Sequence, residues 1–184
     1  SSLAGVITQS YSEPLDNLQR AQIGVNFTAG SLTIGSLSSS SLNLVEADCE
    51  VRNGESSMKT DFRQQDSEGR LSLDTQQSNQ QFWDQAGVRW TVNLSRRIPL
   101  AINIKSETSN MNLDLSELRV TEFRLDIDAG NCKVIMPSSG GTTLTYVKAD
   151  VANIQITIPD AVAARIKVDQ SLSVFDVDES RFPK

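Results

Sequence analysis

Apolar residues in this chain recur at every second position, in short runs separated by turn-forming residues. Ile23, Val25 and Phe27 alternate with polar neighbours, Ala29-Gly30 interrupts, and Leu32 and Ile34 resume the alternation. Side chains on a strand point to opposite faces in turn, so a period of two predicts strands with one face buried and one wet. The interruption predicts a hairpin or a solenoid corner. Further strands are expected at Leu42 to Val51, closed by Asn53-Gly54, at Met58 to Phe62, at Leu71 to Leu73, and at Val88, Trp90, Val92 and Leu94. Ser36 to Ser41 reads as a loop of ordinary length between strands, and Pro99 ends the strand before it by removing a ladder donor. No segment sustains an apolar period of 3.6, so almost no helix is expected.

A longer period lies over the short one. Asn110-Met-Asn-Leu-Asp-Leu, Asn131-Cys-Lys-Val-Ile-Met-Pro and Asn153-Ile-Gln-Ile-Thr-Ile-Pro begin 21 and then 22 residues apart, and Ser171-Leu-Ser-Val-Phe-Asp-Val echoes them. A repeat of this length means that one coil of chain covers its apolar face only when the next stacks on it. Each unit holds two strands, and the first often changes apolar parity midway, as where Leu118 and Val120 give way to Phe123, Leu125 and Ile127. Such a switch turns the inward set outward unless a bulge or corner absorbs a residue. The expected architecture is all-β: a single elongated, solenoid-like stack of short strands. Its predicted anatomy is a leader and first turn over 1–19, a first half over 20–75, a polar loop over 76–87 containing Gln76-Gln-Ser-Asn-Gln-Gln81, and a regular repeat half over 88–180.

The composition fits that picture, with 38% apolar and only 5% aromatic residues. A formal charge of −6 with scattered basic residues argues against nucleic acid and against anionic membrane surfaces. No apolar run approaches the ~20 residues of a membrane helix, so this segment is not expected to insert. Beginning at Ser-Ser-Leu-Ala, the chain reads as a mature product or a fragment, from which a signal or anchor would already be gone. Cys49 and Cys132 are its cysteines. Stacked coils would allow them to pair, but the simpler expectation is two free, buried thiols.

Candidate chemistry is sparse. There is no histidine, hence no Ser-His machinery, and no Gly-rich loop followed by Lys-Ser/Thr. Two cysteines 83 positions apart lack zinc-ligand spacing. Asp114, Asp126, Asp128, Asp150, Asp160, Asp169, Asp176 and Asp178 recur near predicted strand ends, which allows a calcium-stabilised solenoid as one alternative. The nonapeptide of calcium-binding rolls and the twelve-residue loop with its closing Glu are both missing, and Asp is common in turns for its backbone hydrogen bonds alone. Asp126 and Asp128 near Arg124 and Lys133 are the candidates for a polysaccharide-acting enzyme, the other alternative; as outward cross-strand pairs they need no such role. Trp90, in step with Val88 and Val92, belongs to the core. Trp83, beside the polar loop with Phe82, is the candidate partner contact. No catalytic, cofactor or metal residue is assigned.

Trp90-Thr-Val-Asn-Leu, Ile98-Pro-Leu-Ala-Ile-Asn-Ile, Asn112-Leu-Asp-Leu-Ser-Glu-Leu, Leu125-Asp-Ile-Asp-Ala-Gly130 and Val134-Ile-Met-Pro137 together resemble the bacterial toast-rack domains and the related C-terminal domains of cell-wall-active antibiotic response proteins. Asp128-Ala-Gly130 to Pro137 is similar to the family's repeated "Ala/Gly-Gly, strand, Pro" phrase, whereas Ser109-Asn110, Val151-Ala152 and Gln170-Ser171 stand where glycines are usual. The resemblance implies a β-solenoid-like stack on an extracytoplasmic or envelope-associated protein, adhesin-like or part of an envelope-stress response. It carries no catalytic signature. The expected role is a non-catalytic structural or binding module, with a protein or envelope component as partner and self-association through terminal strands as a further possibility.

Overall fold

The computed structural model describes residues 6–52, 57–76, 88–138, 142–159, 164–170 and 174–180, and every regular element among them is a strand. The framework is four long strands, β2 (Arg20–Ser36), β7 (Leu100–Asp114), β8 (Val120–Ile135) and β9 (Thr143–Pro159), which run parallel and side by side in that order. Each bends once in the middle. The buried set of β2 is Ala21, Ile23, Val25 and Phe27 before the bend and Leu32 and Ile34 after it, so parity switches there. The same happens between Ser106 and Ser109 in β7 and between Ala149 and Ala152 in β9. The bends stack, and the sheet folds along them into two arms that enclose one core.

Shorter strands extend each arm. In the first arm β4 (Ser57–Gln65) and β5 (Glu68–Gln76) precede β2, and β10 (Ala164–Gln170) follows β9. In the second, β1 (Val6–Pro14), β3 (Asn43–Arg52) and β6 (Arg89–Leu94) precede β2, and β11 (Val174–Ser180) follows β9. The β1–β3, β3–β6 and β4–β5 pairs are antiparallel, while the stack beyond them is parallel.

Glycine makes two of the corners. Gly30 and Gly130 have φ of 119° and 122°. A Cβ on Gly130 would lie 1.9 Å from the Ser109 carbonyl oxygen, and one on Gly30 2.3 Å from that of Val88, so a side chain at either would drive into the neighbouring coil. Ser109 and Ala152 take the same place in the adjacent coils with φ outside the left-handed region, and Ser109 is tied to Ser106 by a buried hydroxyl pair at 2.6 Å. Just past the corner the repeated asparagines stack, with Asn131 Nδ2 donating to Asn110 Oδ1 at 3.2 Å and Asn153 Nδ2 to Asn131 Oδ1 at 3.1 Å. The opposite side of the core is closed by apolar turns: Leu15 and Leu18, and Leu115 and Leu118, are buried, with Leu18 N–H to Leu15 C=O and Leu118 N–H to Leu115 C=O both at 3.0 Å.

Trp90 is fully buried and meets Phe27 edge to face across the two arms, ring centroids 5.0 Å apart. Cys49 and Cys132 are free. They occupy one inward row, Cys49, Trp90, Leu32, Met111, Cys132, and four strand spacings of ~4.8 Å put them about 19 Å apart, far beyond the ~7 Å a disulfide tolerates. Burial pushes the Cys49 thiol up to about 11 and that of Cys132 up to about 12.

One expectation differs from what is found. The segment before Leu15 is not plain leader: β1 covers the end of the second arm, with Gln9 and half-buried Tyr11 on the inward side. Its alternation is hidden because polar and aromatic residues do the covering. The coils do not follow chain order, because β2 sits between the β5/β6 coil and β7. The polar loop from residue 77 to 87, Trp83 included, lies outside the described residues.

Candidate functional site

The outward side chains of the first arm form rows that run across the strands. One row is Ser72, Gly24, Asn103, Arg124, Tyr146, and small side chains at its start leave the backbone nearly bare. The row beside it is Lys59, Asp74, Asn26, Lys105, Asp126, Lys148, in which acid and base alternate around one amide. Where small residues stand beside long ones, the surface sinks. A depression of about 370 Å³ is lined by Gly24, Arg70, Ser72, Ala101, Asn103 and Arg124. Another of about 460 Å³ is lined by Asn103, Lys105, Arg124, Asp126, Tyr146 and Lys148. Sharing Asn103 and Arg124, they form one trough along the stack. A third, about 260 Å³, adjoins it at Lys105 and Asp126 and reaches the corner at Asp128.

Several of these charges are already held. Arg124 Nε donates to Glu122 Oε1 at 2.6 Å, and its guanidinium lies 4.4 Å from the Tyr146 ring centroid, a cation–π contact that orients both. At the far end, Arg20 Nε and Gln22 Nε2 donate to the two oxygens of Glu68 at 3.0 and 2.7 Å, and the Arg20 hydrogen bond holds that carboxyl below its usual range. Lys105 and Lys148 differ. Each faces Asp126 in register, yet neither joins the ion pairs within 4 Å among the described residues, which are Arg20–Glu68, Arg63–Asp61, Arg96–Glu117 and Arg124–Glu122. The second arm's outer face is more acidic, with Glu46, Asp48, Glu50 and Asp114 on strands β3 and β7.

The structure divides the residues singled out for chemistry. Asp126 and Arg124 share the first arm's outer face, Asp128 is at the corner, and Lys133 is on the outer face of the second arm between Asn112 and Gln155. Asp114 accepts from both Ser116 N–H and Ser116 Oγ, the backbone role common for Asp in turns. Asp160, and the side chains of Asp169 and Asp178, lie outside the described residues. Among the described residues no three Cys, Asp or Glu side chains converge as a metal site would require, and no helix is long and apolar enough to cross a membrane. Tyr146 and Lys105 were not singled out by sequence. Their signal was present in the repeat: the 21- to 22-residue step that aligns the asparagines also aligns Lys105 with Asp126 and Lys148.

The profile of the N-terminal domain of toast_rack matches residues 4–158. The chain belongs to this toast-rack family. No curated protein matches it. Among solved structures, a Clostridium sporogenes protein proposed to act in cell adhesion is similar with a TM-score of 0.80 at 12% identity, covering 95% of this chain and 100% of that one. An adhesin candidate from Bacteroides fragilis covers 94% of this chain and 96% of its own at 9% identity and a TM-score of 0.28, too low to carry an argument. The toast-rack fold is thus shared with the Clostridium protein at an identity that speaks for the fold alone. In this toast-rack chain the trough belongs to the parallel coils, which the family profile spans as far as β9.

Proposed function

We propose that this toast-rack domain is a non-catalytic binding module of the bacterial cell envelope or surface. The observation that carries the reading is the shape of the charged face: a shallow trough shared by five neighbouring strands, β5, β2, β7, β8 and β9, suited to laying an extended partner along the stack rather than enclosing a small substrate. The likeness of fold to a protein proposed for cell adhesion supports a surface location. Asp126 acts here as a contact group, not as an acid or base. The end of the stack at β10 and β11 offers a second, weaker contact. Val177 aligns with the buried Ile156 and yet is 41% exposed, so self-association there is an accessory property.

The test is sedimentation of the purified domain with isolated bacterial envelopes, separated into wall and membrane fractions, alongside an assay for release of reducing sugar. Saturable binding to envelope material without turnover supports the reading. Turnover that Asp126→Asn abolishes would replace it with the polysaccharide-enzyme alternative, and no binding to any fraction would overturn it.

A further inference from the structure

We propose that the first arm's trough is a subsite for a linear glycan that carries an acidic group on alternate sugar rings, laid across the strands along the stack. The inference rests on the binding reading above and adds the ligand class and the residues.

Three features of the face lead to it. First, two lysines of one row stand a sugar pair's length apart. Lys105 and Lys148 lie two strands apart in one row, which at ~4.8 Å per strand is about 10 Å, with Asp126 between them. A polymer with a carboxylate on every second ring presents acid to each lysine and the hydroxyl or amide donors of its neutral ring to Asp126. Second, neither lysine joins an ion pair among the described residues. If this row existed only to pair strands, Lys105 and Lys148 would be expected to close on Asp126; neither does so within 4 Å, although side chains on this face do close ion pairs, as Arg124 does on Glu122 two residues back along its own strand at 2.6 Å. Third, the trough has the surfaces a sugar chain uses. The half-buried Tyr146 ring is oriented by Arg124, and the Asn103, Ser72 and Gly24 floor gives a flat approach with amide and hydroxyl groups.

The same row argues against other anions. Asp126 and Asp74 would face a charge on a chain that is acidic at every unit, and the molecule as a whole carries −6. The face therefore discriminates by spacing, attracting alternate charges and repelling uniform ones.

The experiment is titration calorimetry at low and physiological salt with the intact domain. The probes are hyaluronan oligosaccharides (alternating uronate and N-acetylhexosamine), polygalacturonate oligosaccharides (acid on every ring), neutral chitin oligosaccharides, and polyglutamate as a non-sugar polyanion. Expected are measurable binding of the alternating glycan, at least tenfold weaker binding of the other three, and at least a tenfold loss for the Lys105→Gln/Lys148→Gln double variant. Tyr146→Ala should weaken binding severalfold, and Lys133→Gln, on the other face, should change it less than twofold. All four positions are on the surface, and an unchanged melting temperature identifies a folded variant. Equal binding of polyglutamate, an unaffected double variant, or no binding of the alternating glycan overturns the proposal. If envelope sedimentation persists while the alternating glycan is not bound, this inference alone has failed; if neither is bound, the binding reading has failed with it.

Discussion

Gln9 holds Met58 by both backbone polar groups: its Nε2 donates to the Met58 carbonyl at 2.8 Å, and the Met58 N–H donates to its Oε1 at 3.1 Å. Gln9 is on β1 of the second arm and Met58 on β4 of the first, so one side chain ties the arms together at the end where antiparallel strands cap the parallel stack. Removing it leaves the partly buried backbone groups of Met58 without these partners, which costs about 1–3 kcal/mol. Gln9→Ala should therefore melt several degrees lower, since 1 kcal/mol corresponds to roughly 2–4 °C at this size. Gln9→Glu keeps the acceptor and loses the donor, and should fall between. Calorimetry of the three proteins decides it, and identical melting temperatures would mean that the arms close without Gln9.

The corner glycines are not equivalent to the other corner residues. Gly130→Ala places a Cβ against the Ser109 carbonyl at a φ of 122°, so it should destabilise the fold by at least about 2 kcal/mol through strain. Ala152→Gly, in the next coil at the same stacked position, adds only unfolded-chain entropy and a small loss of burial, about 1 kcal/mol. Urea denaturation of both variants tests the contrast. A Gly130→Ala protein as stable as Ala152→Gly would show that the corner can adopt a non-glycine conformation in either coil.

Much of this architecture was legible in the sequence because a stacked coil writes its geometry as period. The alternation around Ile23 and Phe27, the parity switch in β8, and the 21- and 22-residue steps between Asn110, Asn131 and Asn153 each have a direct counterpart in register. The place of β2 was not legible. Its contacts with β7 join Ala21 to Leu100 and Ile34 to Leu113, 79 residues apart, and nothing local to either strand specifies that partner over β5 or β6 alone. β1 was missed because an end strand has few apolar neighbours to cover, so Gln9 and Tyr11 replace the aliphatic residues that betray a strand. The site was half legible. Asp126 and Arg124 were evident as charged residues, but a trough depends on which small residues stand beside which large ones across five strands, and that needs the register.

The asparagine ladder should contribute stability beyond its exposed position. Asn131 both donates to Asn110 and accepts from Asn153 at 3.2 and 3.1 Å, so Asn131→Ala removes two side-chain hydrogen bonds at once. Each is worth about 0.5–1.5 kcal/mol at most, and exposure to water lowers that, so a loss near 1 kcal/mol is expected. Asn110→Ala and Asn153→Ala each remove one of these bonds and should cost about half as much. Non-additivity in the Asn110/Asn131 double-mutant cycle measures the coupling directly, and full additivity would mean that the stacked amides act independently.

Alkaline pH should loosen the fold through its thiols. Cys132 is buried with its pKa pushed up to about 12 from an ordinary 9.0. Above pH 9 the unfolded chain loses this proton while the folded chain keeps it; the folded state then binds more protons, and stability falls as pH rises. The loss is of order 1 kcal/mol by pH 10 for this group, and Cys49, raised to about 11, acts in the same direction. Tyr11, pushed upward by burial and then by its hydrogen bond to Glu13, adds to the decline above pH 10. Cys132→Ala should be somewhat less stable at pH 7, because it leaves a small void, yet lose less between pH 8 and 10.5 than the parent chain. Denaturant midpoints measured across that range test the sign. Parallel curves for the two proteins would mean that the Cys132 thiol ionises as easily inside the stack as outside it.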